Sequence, residues 1–343
     1  MAATMQDVAR LAGVSVKTVS NVVNDYKHVS QATRERVQKA IDQLGYEMNF
    51  SARNLRTGRT GLISLVVPEL KLHYFAELAD SVIVEAERVG FRVLVEQTNA
   101  DRGHETELLQ GRPRHMVDGV LFSPLSLGQE DIRLFNVDFP LVLLGERVFG
   151  SPNDHVTMNN VEAAAAATRH LIGRGNRRIA LLGSHPGETV GSAALREQGF
   201  RTAMAEAGIP VDERLILKTN LWHRQMGATA TQGLIASGVE FDAIFGMNDS
   251  LALGALHTLH VHRVEVPDPV SVIGFDDIED SAFAYPTLTT VDPGRQQIAR
   301  DAVRLLMERI AESNTPVQDR KPVRRILADY RIIERESTAF ERS

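Results

Sequence analysis

The sequence predicts an α/β protein in which two lobes of parallel sheet, flanked by helices, follow a small all-α headpiece with a helix-turn-helix. Three observations predict it. At 343 residues the chain exceeds what one hydrophobic core usually supports. Its first 47 residues hold short, capped segments of helical period. From Gly61 onward, runs of buried-strand character alternate with helical stretches, the pattern of parallel sheets covered on both faces. The division is a headpiece over 1–47, a hinge and linker over 48–60 and a two-lobed body over 61–343.

Composition narrows the class. Hydrophobic residues at 43% and charged residues at 24% fit a globular chain rather than a disordered one. With no cysteine, disulfides, Cys-ligated zinc and a thiol nucleophile are excluded. The start MAATMQDVARLAG has no basic region followed by a long apolar stretch, so a cytoplasmic address and no membrane association are expected. The net charge of -6 hides an asymmetry: residues 1–60 hold nine Lys and Arg against five Asp and Glu, net +4, which leaves 29 against 39, net -10, for the rest. A basic module beside an acidic body suits a partner rich in phosphate.

Thr4 precedes the apolar run Val8, Ala9, Leu11 and Ala12, with Asp7 in the first turn and Gly13 after it, which predicts a short capped helix. Ser15 then caps a second helix carrying Val19, Val22 and Val23, so the two are joined by a tight turn. Val29 and Ser30 read as a staple and a cap for a third, with Val37, Ala40, Ile41 and Leu44 on one stripe and Gly45 as terminator. The second helix leaves Val16, Lys17, Thr18, Ser20 and Asn21 on or near its outer face, donors and small contacts suited to base edges in a major groove. A solvated surface on a helix-turn-helix that never meets DNA is the alternative for these residues. Ser51 to Arg56 is too short to be helical alone in water.

The ordered segments TMQDVARLAGVSVKTVSNVVN, VSQATRERVQKAIDQLGY and NFSARNL, ending at Leu55, resemble the headpiece and hinge of the lactose-repressor (LacI/GalR) family. The resemblance implies that Val16, Lys17 and Asn21 read bases, while Thr4, Thr18, Ser20, Asn24, Thr33, Tyr46 and Asn49 lie against the DNA backbone. It further implies a hinge helix, including Ala52, that folds on the operator, with Leu55 as a wedge in the minor groove. Asn21 stands where relatives commonly carry Arg or His, and Met48 where they carry Pro.

In the body, Leu62 to Val67 is a continuous buried-strand run, followed by a helical stretch near Phe75 to Val89 and a strand at Phe91 to Val95. The alternation continues through Gly119 to Phe122, Leu141 to Leu144, Ala163 to Ile172, Ile179 to Leu182, Leu195 to Ala207, Ala243 to Met247 and Leu251 to Leu259. Loops at the C-terminal ends of such strands are where a ligand is expected. RRIALLG from Arg177, SAALREQGF from Ser192, NDSLALG from Asn248, VIGFDD from Val272, PTLTTV from Pro286 and REST from Arg335 resemble the regulatory domain of the same family, which is similar to type I periplasmic sugar-binding proteins.

That resemblance implies a cleft in which Arg196, Asn248 and Asp276 contact a small effector, Trp222 stacks on it, Tyr74 and Phe75 wall the near lobe and Ser123 sits at a strand end. A guanidinium, an amide and a carboxylate together donate to and accept from vicinal hydroxyls, which points to a sugar or sugar derivative. Gly145 stands where some sugar-binding relatives have an acidic residue. His257, His260 and His262 do not form a metal-ligand pattern, and Gly183, Gly187 and Gly191 match no phosphate-binding motif, so neither metal nor cofactor is expected. Ser184, His185 and Glu188 are local loop residues rather than a triad. The expectation is a ligand-responsive repressor, not an enzyme, binding double-stranded operator DNA as a homodimer on a near-palindromic site. A solute-binding protein of the same two-lobe fold and a sugar-acting enzyme are the rivals.

Overall fold

The computed structural model describes residues 3–23, 26, 28–46, 59–111 and 116–339. The chain divides into two compact units, Met1–Thr60 and Gly61–Ser343.

The first unit contains α1 (Met5–Ala12), α2 (Val16–Val23) and α3 (Gln31–Leu44). Each starts on a side-chain cap, because the first N–H groups of a helix lack internal partners. Thr4 and Asp7 form a reciprocal capping box, Asp7 N donating to Thr4 Oγ1 at 3.3 Å and Thr4 N to the Asp7 carboxylate at 3.0 Å. Ser15 accepts from Thr18 N at 3.1 Å and Ser30 from Thr33 N at 3.4 Å. Gly13 and Gly45 end α1 and α3 in the left-handed region, at φ 63° and 56°.

Val8, Ala9, Ala12, Val19, Val22, Val37 and Ala40 form the shared core, with Ile41 and Tyr46 packed on it. Two expected core residues are not in it. Leu11 is 51% exposed, because it stands roughly 110° around α1 from the centre of the Val8, Ala9 and Ala12 stripe at about 100° per residue. Leu44 is 36% exposed at the last position of α3, past the end of that core.

The second unit builds two six-stranded sheets. The first lobe contains β1 (Leu62–Val67), α4 (His73–Arg88), β2 (Arg92–Gln97), α5 (Arg102–Gln110), β3 (Gly119–Phe122), β4 (Leu141–Leu144) and β5 (Asp154–Met158). The second contains α6 (Asn160–Gly173), β6 (Ile179–Ser184), α7 (Ser192–Glu206), β7 (Ile216–Lys218), α8 (Arg224–Ser237), β8 (Ala243–Gly246), α9 (Asp249–Val261), β9 (Ser271–Phe275), α10 (Glu279–Phe283) and β10 (Thr289–Asp292). The chain then returns to the first lobe with α11 (Arg295–Ala311) and β11 (Arg325–Ala328), and ends on the second sheet with β12 (Arg331–Ile333). Strand orders are β11-β5-β4-β3-β1-β2 and β12-β10-β9-β8-β6-β7. The lobes are thus interleaved, joined by three crossings after β5, β10 and β11.

Helices on both faces explain why β3, β4, β8 and β9 are buried along their full length. Edge strand β2 is the contrast, with Leu94 39% exposed. One pairing departs from the all-parallel expectation: β12 runs antiparallel to β10, because the chain reaches it by a two-residue turn from β11 in the other sheet. Among the described residues no helix is long and apolar enough to cross a membrane.

Candidate functional site

The loops that follow β1, β3, β4, β6, β8 and β9 at their C-terminal ends converge on a cavity of 410 Å³ between the two lobes. Tyr74, Phe75, Ser123, Arg196, Trp222, Asn248 and Asp276 all line it. The sequence separates the first and last of these by about two hundred residues, so only the fold brings them together.

Arg196, on α7, is 2% exposed. Its Nε donates to Asn160 Oδ1 at 2.7 Å, Nη1 donates to the Met247 carbonyl, and Nη2 lies 3.4 Å from Met158 Sδ and 3.7 Å from the Asp276 carboxylate. The guanidinium lies 3.6 Å from the centre of the Phe275 ring and 5.2 Å from that of Trp222. Burial lowers its affinity for the proton, opposed by the charges of Asp276 and Glu146. Asp276 follows β9, and burial pushes its carboxyl up to about 8 against the pull of Arg196. Next to it Asp249 is pushed up to about 6 by burial, against hydrogen bonds from Thr290, Ser281 and Ile278. A buried Arg–Asp pair facing a cavity of mixed lining is able to bind hydroxyls from both sides of their oxygen, as donor and as acceptor.

The other five residues contribute shape more than free polar groups. Trp222 Nε1 donates to the Gly183 carbonyl at 2.9 Å, which leaves the ring face, not the N–H, for a ligand. Gly183 allows that approach: at φ 121° a Cβ there meets Met247 Cβ at 2.9 Å and Trp222 Nε1 at 3.1 Å. Asn248 spends most of its amide on the protein, capping α9 through Leu251 N at 2.8 Å and donating to the Trp222 carbonyl at 3.0 Å. Tyr74 and Phe75 meet edge to face at 5.2 Å, and burial pushes the Tyr74 phenol well above its ordinary value. Ser123 is 6% exposed at the end of β3.

Sequence reasoning missed several residues around this cavity, among them Glu69, Glu146 and Arg147, which tie one lobe to the other. Glu146, beside Gly145, accepts from Met158 N at 3.0 Å and from Ser192 Oγ at 2.7 Å. Arg147 reaches Glu188 at 3.3 Å, and Glu69 meets His223 at 2.9 Å. Asn160, the first residue of α6, holds the Arg196 Nε. The available signal was position: Glu69, Glu146 and Arg147 each follow a buried strand at its C-terminal end.

In the headpiece, Val16 at 42% and Lys17 are exposed, Thr18 and Asn21 are half-buried, and Ser20 is a correction at 5%. Ser20 is buried on α2 beside the core residue Val19, so it is not part of the outer face. The hydroxyls of Thr4, Thr18 and Thr33 are engaged at helix starts, with Asp7 at 2.6 Å, Ser15 at 2.9 Å and Ser30 at 2.9 Å. Tyr46 is half-buried against the core. Asn24, Asn49, Ala52 and Leu55 lie outside the described residues. His257 and His260 are exposed on α9, His262 bonds to Gln232 at 2.7 Å, and among the described residues no group of three His, Asp or Glu is placed to hold a metal. Ser184 donates to Glu197 while His185 pairs with Glu188 at 3.2 Å, so the two form no relay.

A helix-turn-helix unit followed by a two-lobed binding domain defines a transcription regulator rather than an enzyme or a solute carrier. The lacI family of bacterial regulatory proteins matches residues 4–49, and a periplasmic-binding-protein-like domain matches residues 168–338. The HTH-type transcriptional repressor PurR of Vibrio cholerae serotype O1 is 34% identical over 340 residues, 98% of each chain. The structure of the transcriptional regulator CelR in complex with cellobiose is 31% identical, with a TM-score of 0.70, over 98% of this chain and 99% of that one. The lac repressor dimer bound to operator and the anti-inducer ONPF is 26% identical, with a TM-score of 0.80 and the same coverage. The chain belongs to the lacI family: it is a transcriptional repressor with an effector-binding domain.

Proposed function

We propose that this repressor binds a near-palindromic double-stranded operator as a homodimer and that a sugar-like effector in the interlobe cleft changes its operator affinity. Val16, Lys17 and Asn21 read bases, Thr4, Thr18, Asn24, Thr33, Tyr46 and Asn49 meet the backbone, and Leu55, beside Ala52 in the hinge, wedges the minor groove. Two-fold symmetry of the dimer requires two half-sites. Supporting the effector reading is the buried Arg196–Asp276 pair, 3.7 Å apart on the wall of a 410 Å³ cavity whose other sides are the faces of Trp222, Tyr74 and Phe75. The donors and acceptors bind hydroxyls, and the ring faces take the apolar face of a sugar.

A thermal-shift panel of cellobiose, glucose, galactose, glucose 6-phosphate and adenine tests this, with each hit carried into a mobility-shift assay on operator fragments. A sugar that raises the melting temperature and changes operator affinity supports the reading. Stabilisation by adenine alone replaces the sugar with a planar base, for which the Trp222 and Phe75 rings are equally suited.

A further inference from the structure

Asp276 and Asp277 are consecutive non-glycine residues in left-handed backbone, at φ 119° and 48°. Such conformations persist where the surroundings over-determine them, and they gather at binding sites. Within the second lobe, Arg335 Nη2 donates to the Asp277 carboxylate at 2.7 Å and Asp277 N donates to Thr290 Oγ1 at 3.4 Å. Asp276 N also donates to the Val291 carbonyl at 2.8 Å and Ile278 N to the Asp249 carboxylate at 3.0 Å, and Arg196 faces the Asp276 carboxylate at 3.7 Å. Further ties come from the first lobe. Arg295, the first residue of α11, donates through Nη1 to the Asp276 carbonyl at 3.0 Å and to the Asp277 carbonyl at 3.4 Å. Its Nη2 is 2.7 Å from Glu77 on α4, and the other Glu77 oxygen accepts from Glu279 N at 2.8 Å, just beyond the turn.

A first-lobe ion pair thus grips the second-lobe segment 276–279 at two carbonyls and one N–H. The pair is largely shielded, with side-chain exposures of 26% for Glu77 and 19% for Arg295. Neither residue lines the cavity. Of the other polar ties across the cleft, Ser192 with Glu146, His223 with Glu69 and Arg147 with Glu188 join side chains, and Arg147 also donates to the Val190 carbonyl at 3.1 Å, away from the turn that carries Asp276. Separating the lobes therefore disturbs the backbone of the turn that carries Asp276, and a change at that turn pulls on α4.

We propose that Glu77 and Arg295 form a positioning clamp that holds the lobes closed and aims the Asp276 carboxylate into the cleft. The aiming rests on the effector reading above; the closure does not. It makes the closed state a two-state element whose equilibrium a cleft occupant biases through one turn.

Trp222 is the only tryptophan in the chain and lies half-buried on the cavity wall, so acrylamide quenching of the full-length protein reports cleft opening with no effector present. The clamp predicts that Arg295→Gln and Glu77→Gln each raise the quenching constant about twofold or more, as an open minor state becomes a major one. The double variant should rise no further than the singles, since both act on one unit. Arg295→Lys, which keeps charge toward Glu77 but loses the fork, should fall between. A residue that merely stabilises the fold lowers the melting temperature and leaves quenching of the folded protein alone. Unchanged quenching in Glu77→Gln and in Arg295→Gln overturns the clamp. Should Arg295→Gln fail to fold, Glu77→Gln decides the matter from α4. The sugar panel above decides the effector reading separately.

Discussion

The headpiece and the body use charge in opposite ways. The headpiece, with its hinge, carries a net +4 and has Val16 and Lys17 exposed and Thr4, Thr18 and Thr33 at helix starts, while the body carries -10 and puts its working charges inside. Asp7 shows the first case: hydrogen bonds from Thr4 hold its carboxyl below the ordinary value. Asp276 shows the second: burial raises its carboxyl to about 8 although Arg196 is 3.7 Å away. A capped surface helix is built by residues three apart in sequence, whereas a buried ligand site needs partners from several strands, and its charges stay uncomfortable until something binds them.

Substitutions can break this comparison at its strongest points first. Arg196→Gln leaves Asp276 buried without its cation and should weaken effector binding by about 2–5 kcal/mol, while ligand-free operator binding persists. Titration calorimetry beside a mobility-shift assay reads both. Leu55→Ala is the mirror case: operator affinity should fall by a few kcal/mol, roughly the stake of a minor-groove wedge, with the melting temperature of the body unchanged. Lys17→Ala and Asn21→Ala should each cost about 1–3 kcal/mol and relax preference at one base position, measurable by binding to single-base operator variants.

The two carboxylates also predict opposite pH slopes. With its pKa raised from 3.8 to about 8, Asp276 holds a proton in the folded body that the unfolded chain has released. Its contribution to stability is whole below about pH 4 and is lost as pH rises toward 8. Replacing it in Asp276→Asn should flatten that decline in urea titrations. Hydroxyl donors on Asp276 favour the carboxylate, so effector binding should release a proton and weaken by up to about tenfold per pH unit below 8, seen as buffer-dependent binding heats. Asp7, lowered from 3.8, contributes above that value and its contribution is lost as pH falls through it. The smallest expected effect is Thr4→Ala, about 1 kcal/mol of headpiece stability through the lost cap, with none in the body.

How much was legible in the sequence follows the same division. Helix starts in the headpiece were readable because Thr4, Ser15 and Ser30 act on N–H groups three residues on. Leu11 and Ser20 were misjudged because both sit beside core residues in sequence, and which side faces inward is set by the angle of the packed helices. In the body, strand positions were clear from continuous apolar runs, and the seven cavity residues came from family motifs, not from spacing. Glu146, Asn160, Glu77 and Arg295 were invisible, since their partners lie on other elements and an isolated Glu or Arg reads as a surface charge. The antiparallel β12 was equally hidden, because the chain changes sheets within two residues after β11.

The central claim is that one chain links a cleft occupant to operator affinity, and a mobility-shift titration with and without the stabilising sugar tests it most directly. A coupling of about 1–3 kcal/mol predicts a 5- to 150-fold change in operator Kd, in either direction, that disappears in Arg196→Gln and is mirrored in the effector Kd when operator is present. A sugar that raises the melting temperature of the body yet leaves the operator Kd unchanged contradicts the account.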